Sequence, residues 1–284
     1  MAGRGPAHRH ILVAITLAWA AIASGTSACE ARFPPGGFPG RTAQAEFYNP
    51  RSDGPHENWA PEKTRLEFHA GFAQESVEYD HHILGSLGDM KLLTIHVRLP
   101  DSNRITCPAE ALLGPGEVFE DIAPRIVDID NDGMPEVIVV QTDIRRGARL
   151  AIYDRRAHLV AATPYIGQTH RWLAPLGADD LDGDGNVEIA YVDRPHLARI
   201  LRVWRFRNGT LTELAQAPGH TNHAIGEETI SGGLRFCDLR NEIVTLSPDR
   251  RRILVTTLAE DRLTTRDHAA FTGPGSLTSA LLCR

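Results

Sequence analysis

Two nine-residue stretches carry the residue types of a hard-cation site. The first is Asp128-Ile-Asp130-Asn-Asp132-Gly133-Met-Pro-Glu136, and the second is Asp180-Leu-Asp182-Gly-Asp184-Gly185-Asn-Val-Glu188. Each places carboxylates at positions 1, 3, 5 and 9 and glycine at position 6. Carboxylates crowded into so short a loop repel one another unless a cation lies among them. Ca²⁺ suits such a loop, because it takes ~6–8 oxygen ligands, backbone carbonyls included, in a flexible geometry. The glycine permits the positive-φ turn that wraps the chain around an ion. An EF-hand would need a bidentate glutamate at position 12, where this chain has Val139 and Tyr191. The competing reading is a pair of polar turns, since Asp, Asn and Gly are ordinary turn residues. Two copies in one register favour the cation.

Histidines offer a second chemistry. Among the thirteen, His81-His82, His170-Arg171-Trp172 and His220-Thr-Asn-His223 are grouped. A His-x-x-His pair can hold a transition metal, but the spacing is permissive, and polar residues at the ends of strands are the plainer reading. Asn222-His223 leading into Gly226-Glu227-Glu228 is the loop with most acid–base potential. Trp172 and Trp204, the latter alternating with Arg202, present either a stacking surface for a sugar or rings packed between sheets; packing is the commoner role. The chain has no G-x-S-x-G, H-E-x-x-H or P-loop motif and no strand–G-x-G-x-x-G–helix unit.

The elements that must position these residues read as strands. Val137-Ile-Val-Val140 and Ile189-Ala-Tyr-Val192 follow the two acidic loops, and Val137–Val140 is apolar on both faces, as a doubly covered strand requires. Glu136-Val-Ile recurs as Glu188-Ile-Ala after 52 residues and as Glu242-Ile-Val after a further 54. At the third copy Cys237-Asp238-Leu-Arg-Asn241 replaces the acidic loop, so that repeat keeps the strand and loses the ion. Strand candidates in the first unit are 125–129, 137–141, 149–153 and 159–163. In the second they are 176–180, 187–192, 200–206 and 211–215, and in the third 230–236, 243–246, 253–257 and 262–265. A looser, earlier unit runs from His81 through Leu92–Val97 to Phe119. Four short strands repeating every ~50 residues point to propeller blades. The expected fold is therefore all-β, a β-propeller of four to five four-stranded blades, with units at about 81–124, 125–176, 177–229 and 230–284. A β-sandwich is the alternative.

The D-x-D-x-D-G-x-x-[DE] loop followed by a β-run resembles the FG-GAP/VCBS family of propeller repeats, with calcium loops like those of integrin α-subunits. The resemblance covers about 125–217 and implies a structural Ca²⁺ in each loop. Its ligands would be Asp128, Asp130, Asp132, Glu136 and the carbonyl of Met134, then Asp180, Asp182, Asp184, Glu188 and the carbonyl of Asn186.

Residues 1–28 read as a secretory signal peptide, with Arg4 and Arg9 before an apolar core from Ile11 to Ala23 that is too short to span a membrane. Thr26-Ser27-Ala28 offers a cleavage site. Thr-Ser-Ala-Cys29 also fits a permissive lipoprotein signal, so a lipid anchor at Cys29 is the alternative. Cleavage removes two arginines and no acid, leaving 28 basic against 36 acidic residues, a net of −8. That balance disfavours nucleic acid and anionic membrane as partners. Residues 33–62 are rich in Pro and Gly and read as extended or irregular, with one edge strand around Glu46-Phe-Tyr48; residues 29–80 therefore stand as an N-terminal segment that contributes at most a blade or a closing strand. Of the four cysteines, Cys237 and Cys283 share the last repeat-sized segment and form the favoured pair, leaving Cys29 and Cys107.

Together these features describe an exported, periplasmic or secreted calcium-binding scaffold for a protein or carbohydrate ligand. The alternative is a propeller-face hydrolase or lyase acting on carbohydrate or phosphoester. Convergence of His81, His170, His223 and Glu227 on one pocket would favour the enzyme.

Overall fold

The computed structural model describes residues 42–48, 65–98 and 108–284, and over these the chain is all-β with one short helix. In order the strands are β1 (Thr42–Tyr48), β2 (Arg65–Ser76), β3 (Asp89–Arg98), β4 (Ala109–Leu112), β5 (Glu117–Phe119), β6 (Arg125–Val127), β7 (Glu136–Asp143), β8 (Gly147–Tyr153) and β9 (Leu159–Ala162). They continue with β10 (Leu173–Asp179), β11 (Glu188–Asp193), β12 (Ile200–Arg207), β13 (Thr210–Pro218), β14 (Gly233–Cys237), β15 (Arg240–Leu246), β16 (Arg252–Ala259) and β17 (Arg262–Ala270); helix α1 (Pro274–Leu281) ends the chain. The expected signal peptide, Cys29 and Cys107 lie outside the described residues.

All twelve strand candidates of the three clear units correspond to β6–β17. β10–β13 and β14–β17 are separate four-stranded antiparallel meanders. The first unit departs from the expected pattern of independent four-stranded sheets. Its strands β6–β9 belong to a nine-stranded sheet, because β5 pairs with both β3 and β7 and so joins two units edge to edge. β5 and β6 lie in turn against the two halves of β7. Between them the side chain of Asp121 takes the place of a strand partner, its Oδ2 accepting from Val140 N at 2.8 Å. The strand expected near Glu46–Tyr48 is β1, which ends the path of this sheet beside β2. The sheets have open edges: β1 and β9, β10 and β13, and β14 and β17 end their hydrogen-bonded paths.

Apolar alternation stacks the sheets face to face. On β7, Val137 and Val139 pack toward Ala70, Phe72, Leu93 and Ile95, while Ile138 and Val140 pack toward Leu173, Ile189 and Tyr191. On β11, Ile189 and Tyr191 join that second cluster and Ala190 joins a third with Leu201, Val203 and Ile243. β7 and β11 are thus covered on both sides, as their uninterrupted apolar runs require. Gly177 marks a close approach between meanders: a Cβ there would lie 2.9 Å from Leu234 Cγ, and its φ of 149° accompanies a bulge in β10.

Among the described residues no further sheet lies on the far face of the last meander, and α1 covers it. Leu277 and Ala280 pack on Val244, Leu246, Ile253 and Val255. The Cys237–Cys283 disulfide fastens this helix to the end of β14, with Cα atoms 5.9 Å apart. The expected bond is present, and what it ties down is a helix that the strand pattern does not announce. No helix among the described residues is long and apolar enough to cross a membrane.

Candidate functional site

The two acidic loops connect β6 to β7 and β10 to β11, and they share most of their hydrogen bonds. The position-1 carboxylate accepts the amides of positions 5 and 6: Asp128 from Asp132 N (3.0 Å) and Gly133 N (2.8 Å), Asp180 from Asp184 N (3.1 Å) and Gly185 N (2.9 Å); Asp180 also accepts from Gly183 N at 2.7 Å. Position 5 accepts from position 7, Asp132 from Met134 N at 2.7 Å and Asp184 from Asn186 N at 2.8 Å. Position 9 reaches back to position 2, Glu136 to Ile129 N at 3.1 Å and Glu188 to Leu181 N at 2.9 Å. Gly133 and Gly185 have φ of 84° and 87°, the left-handed turn anticipated at position 6. Neighbouring connections are laced together, Asn131 Nδ2 donating to Gly185 O and Asn241 Nδ2 to Asp180 O.

Carboxylate oxygens of Asp128, Asp130 and Glu136 lie within 4.8 Å of one another, and those of Asp180, Asp182 and Glu188 do likewise. Ca²⁺–oxygen distances of ~2.3–2.6 Å put ligands on opposite sides of one ion roughly 5 Å apart, so both trios fit a single ion. The third loop differs as expected. Between β14 and β15 it has shrunk to Asp238-Leu239, with both φ values positive (49° and 62°) and no room to encircle an ion.

A cation already stands in the second loop. Arg205 on β12 is paired in register with Glu188, and its guanidinium reaches Glu188 Oε1 (2.6 Å), Asp182 Oδ2 (2.6 Å) and Asp184 Oδ2 (3.0 Å). In the first loop the equivalent position follows Tyr153, the partner of Val137, and is Asp154. That side chain accepts its own 156 and 158 amides instead. Desolvation, reinforced by Asp130, Asp128 and Asp132, pushes Glu136 up to about 8. Burial also raises Glu188, where Arg205 opposes the shift.

Residues 128–191 match the FG-GAP-like repeat family. The FG-GAP-like segment thus spans both acidic loops and the strands between them. A search of curated proteins finds no match. Among solved structures the chain is similar to the exotype rhamnogalacturonan lyase YesX, at 15% identity and a TM-score of 0.43, covering 84% of this chain and 49% of that one. It is also similar to the Bacillus licheniformis rhamnogalacturonan lyase PL11, at 14% identity and a TM-score of 0.36, covering 74% of this chain and 51% of that one. The chain spans about half the length of each.

The histidine groups fall at the other end of the strands, because antiparallel connections alternate ends. His81 and His170 share a cavity, their ring centroids 5.1 Å apart, and His196 joins them from the β11–β12 connection. His223 stands behind His196, with its Nδ1 3.1 Å from His196 Nε2. The Glu227 carboxylate is clamped by Arg250 (2.8 and 2.9 Å) and accepts from Ala224 N. Glu228 bonds to Ser86. Carboxylates meet two of the cavity histidines, Glu120 at His81 (2.6 Å) and Asp80 at His170 (3.1 Å), pairings that sequence spacing could not bring together. Trp172 is 2% exposed, its Nε1 donating to Glu120 O, and Trp204 donates to Tyr191 OH while Arg202 binds Asp193 and Gln216. Both rings pack between sheets.

Proposed function

We propose that this chain is an exported, calcium-stabilised β-propeller-type repeat protein that serves as a binding scaffold. The observation that carries the reading is the Asp128–Asp130–Glu136 trio, whose carboxylate oxygens are spaced for one ion and whose geometry the Asp180–Asp182–Glu188 trio repeats. Asp128, Asp130, Asp132, Glu136 and the Met134 carbonyl would hold Ca²⁺, as in VCBS and integrin-type loops, and the ion would supply the positive charge that lets the loop close. The corresponding residues Asp180, Asp182, Asp184, Glu188 and the Asn186 carbonyl would take a second ion only when Arg205 withdraws. Face-to-face stacking of consecutive meanders supports the propeller assignment. The disulfide supports export.

A structural role for the ion follows from its place. Each loop carboxylate either belongs to a trio or bonds the loop backbone, which leaves no base beside the ion. At a hundredfold excess over the dissociation constant, one bound ion stabilises the fold by about 2.7 kcal/mol. EDTA should therefore lower the melting temperature, and Asp130→Ala should abolish that response. Melting that ignores both EDTA and millimolar Ca²⁺ would reduce the loop to an acidic turn. A second reading, a hydrolase or lyase, is favoured by one observation: His81, His170 and His196 converge on one cavity at the end of the strands away from the loops.

A further inference from the structure

The cavity beside His81 has a volume of about 250 Å³ and draws its walls from four separate parts of the chain, near residues 81–83, 170–172, 194–197 and 225. Among the described residues two arginines and three histidines line it, and no acid does. The rest of the lining is apolar: Ile83, Trp172, Pro195, Leu197 and Ile225. Ligand pockets typically run to ~300–1,000 Å³, so a ligand here is small.

The two guanidinium groups differ in what they already hold. Arg194 donates from Nε and Nη2 to Asp193, at 2.8 and 2.9 Å, which leaves its Nη1. Asp193 is divided between this arginine and Arg202, whose Nε donates to it at 3.0 Å. Arg171 donates from Nη1 to the carbonyl of His170 at 2.8 Å and forms no ion pair among the described residues. Its Nε–Nη2 edge, the edge that meets a carboxylate in Arg194, is therefore unused by the protein.

The acids around the cavity are committed elsewhere. Glu120, 1% exposed, meets His81 Nδ1 at 2.6 Å and the Thr142 hydroxyl at 2.8 Å. Burial raises it, which disfavours a bare negative charge behind that wall. Asp80 meets His170 Nε2 from the solvent side, where it is 86% exposed and screened by water. Glu227 is held by Arg250. Burial first, then His223, His81 and Arg199, lowers His196 to about 4, so that ring is a neutral part of the wall at pH 7.

An unpaired guanidinium at the wall of an apolar cavity attracts an oxyanion more strongly than it would in open water. The apolar remainder decides which kind. Inorganic phosphate is polar on every side and would leave oxygens without partners against Ile83 and Ile225. A carboxylate on an apolar body suits both parts, because its planar head matches the guanidinium fork and its body covers the walls.

We infer that this cavity binds a small organic carboxylate, its head group in the fork of Arg171 within reach of Arg194 Nη1, and its apolar body against Ile83, Leu197 and Ile225. The inference goes beyond the scaffold reading and is independent of calcium, since the acidic loops lie at the other end of the strands. Saturation-transfer NMR on the full chain tests it, with benzoate and cyclohexanecarboxylate as probes. Their amides serve as uncharged isosteres and equimolar inorganic phosphate as a competitor. The carboxylates should receive saturation at their C–H protons, the amides far less, and phosphate should not displace either acid. Arg171→Gln, at a partly exposed position, should weaken carboxylate binding about tenfold, equivalent to ~1.4 kcal/mol, and leave the amides unchanged. Leu197→Trp, at a 61%-exposed lining position, should block the cavity without unfolding the chain. Absence of transfer to both carboxylates, equal transfer to the amides, or displacement by phosphate would each overturn the assignment. So would transfer that is unchanged in Arg171→Gln or that survives Leu197→Trp.

Discussion

Arg205 and Asp154 stand at equivalent places beside their loops and have opposite consequences. Arg205 is 16% exposed and touches three acids of the second loop, so removing it leaves clustered carboxylates uncompensated. Breaking such a partly buried network costs about 3–5 kcal/mol. Arg205→Ala should therefore destabilise the protein in EDTA by roughly that amount, and Ca²⁺ should restore much of it by filling the second loop. Urea unfolding with and without the ion checks this; a loss that Ca²⁺ leaves unchanged would show that the arginine is not a stand-in. The acidic ligands were legible in the sequence because their spacing is local. Arg205, Glu120 and His196 were not, since only strand register and loop convergence bring them to their partners.

His220 makes a pH prediction at the same scale. It is 1% exposed, its Nδ1 lies 2.8 Å from Thr245 Oγ1, and desolvation lowers it to about 4. An unfolded histidine titrates near ~6.5. Between these values the unfolded chain binds a proton that the folded chain refuses, so stability falls as pH drops through the window and levels off below about 4. The loss amounts to about 3 kcal/mol, and His196 and His223 act in the same direction. Urea midpoints at pH 7 and pH 4.5 should differ less in His220→Gln than in the parent. Equal differences would show that another group controls the slope.

Among elements, the periodic ones were readable and the interrupted ones were not. β7, β11 and β15 announce themselves by apolar runs after a recurring Glu, and the twelve strands of three units follow from alternation and turn residues. The break between β5 and β6 is different, because Asp121 replaces a backbone partner there and Arg125 pairs with its carboxylate at 2.8 Å. No local pattern encodes that substitution, yet it places Glu120 against His81. Helix α1 was also hidden, being eight residues long and required only because the last sheet needs a cover. Its disulfide closes a separation of 46 residues, worth about 4 kcal/mol in the chain-entropy model. Reduction should release α1 first, exposing Val244, Leu246 and Val255. Hydrogen exchange on the reduced protein would show faster exchange in β15 and β16; unchanged protection there would mean that packing alone holds the helix.

At the scale of the molecule, antiparallel alternation separates two chemistries. Acidic connections gather at one end of the strands and histidine connections at the other, with doubly covered strands such as β7 and β11 between them. Such an arrangement lets an ion fix the stack while the opposite end stays available for a ligand. The central claim is that the first acidic loop is where calcium enters, the second being occupied by Arg205. Calorimetric titration of Ca²⁺ into the EDTA-stripped protein tests it most directly. One site should appear, with a dissociation constant of ~10⁻⁴–10⁻³ M as in extracellular modules; Asp130→Ala should remove it, and Asp182→Ala should leave it in place. Binding that survives Asp130→Ala and vanishes in Asp182→Ala, or no heat at millimolar calcium, would contradict the account.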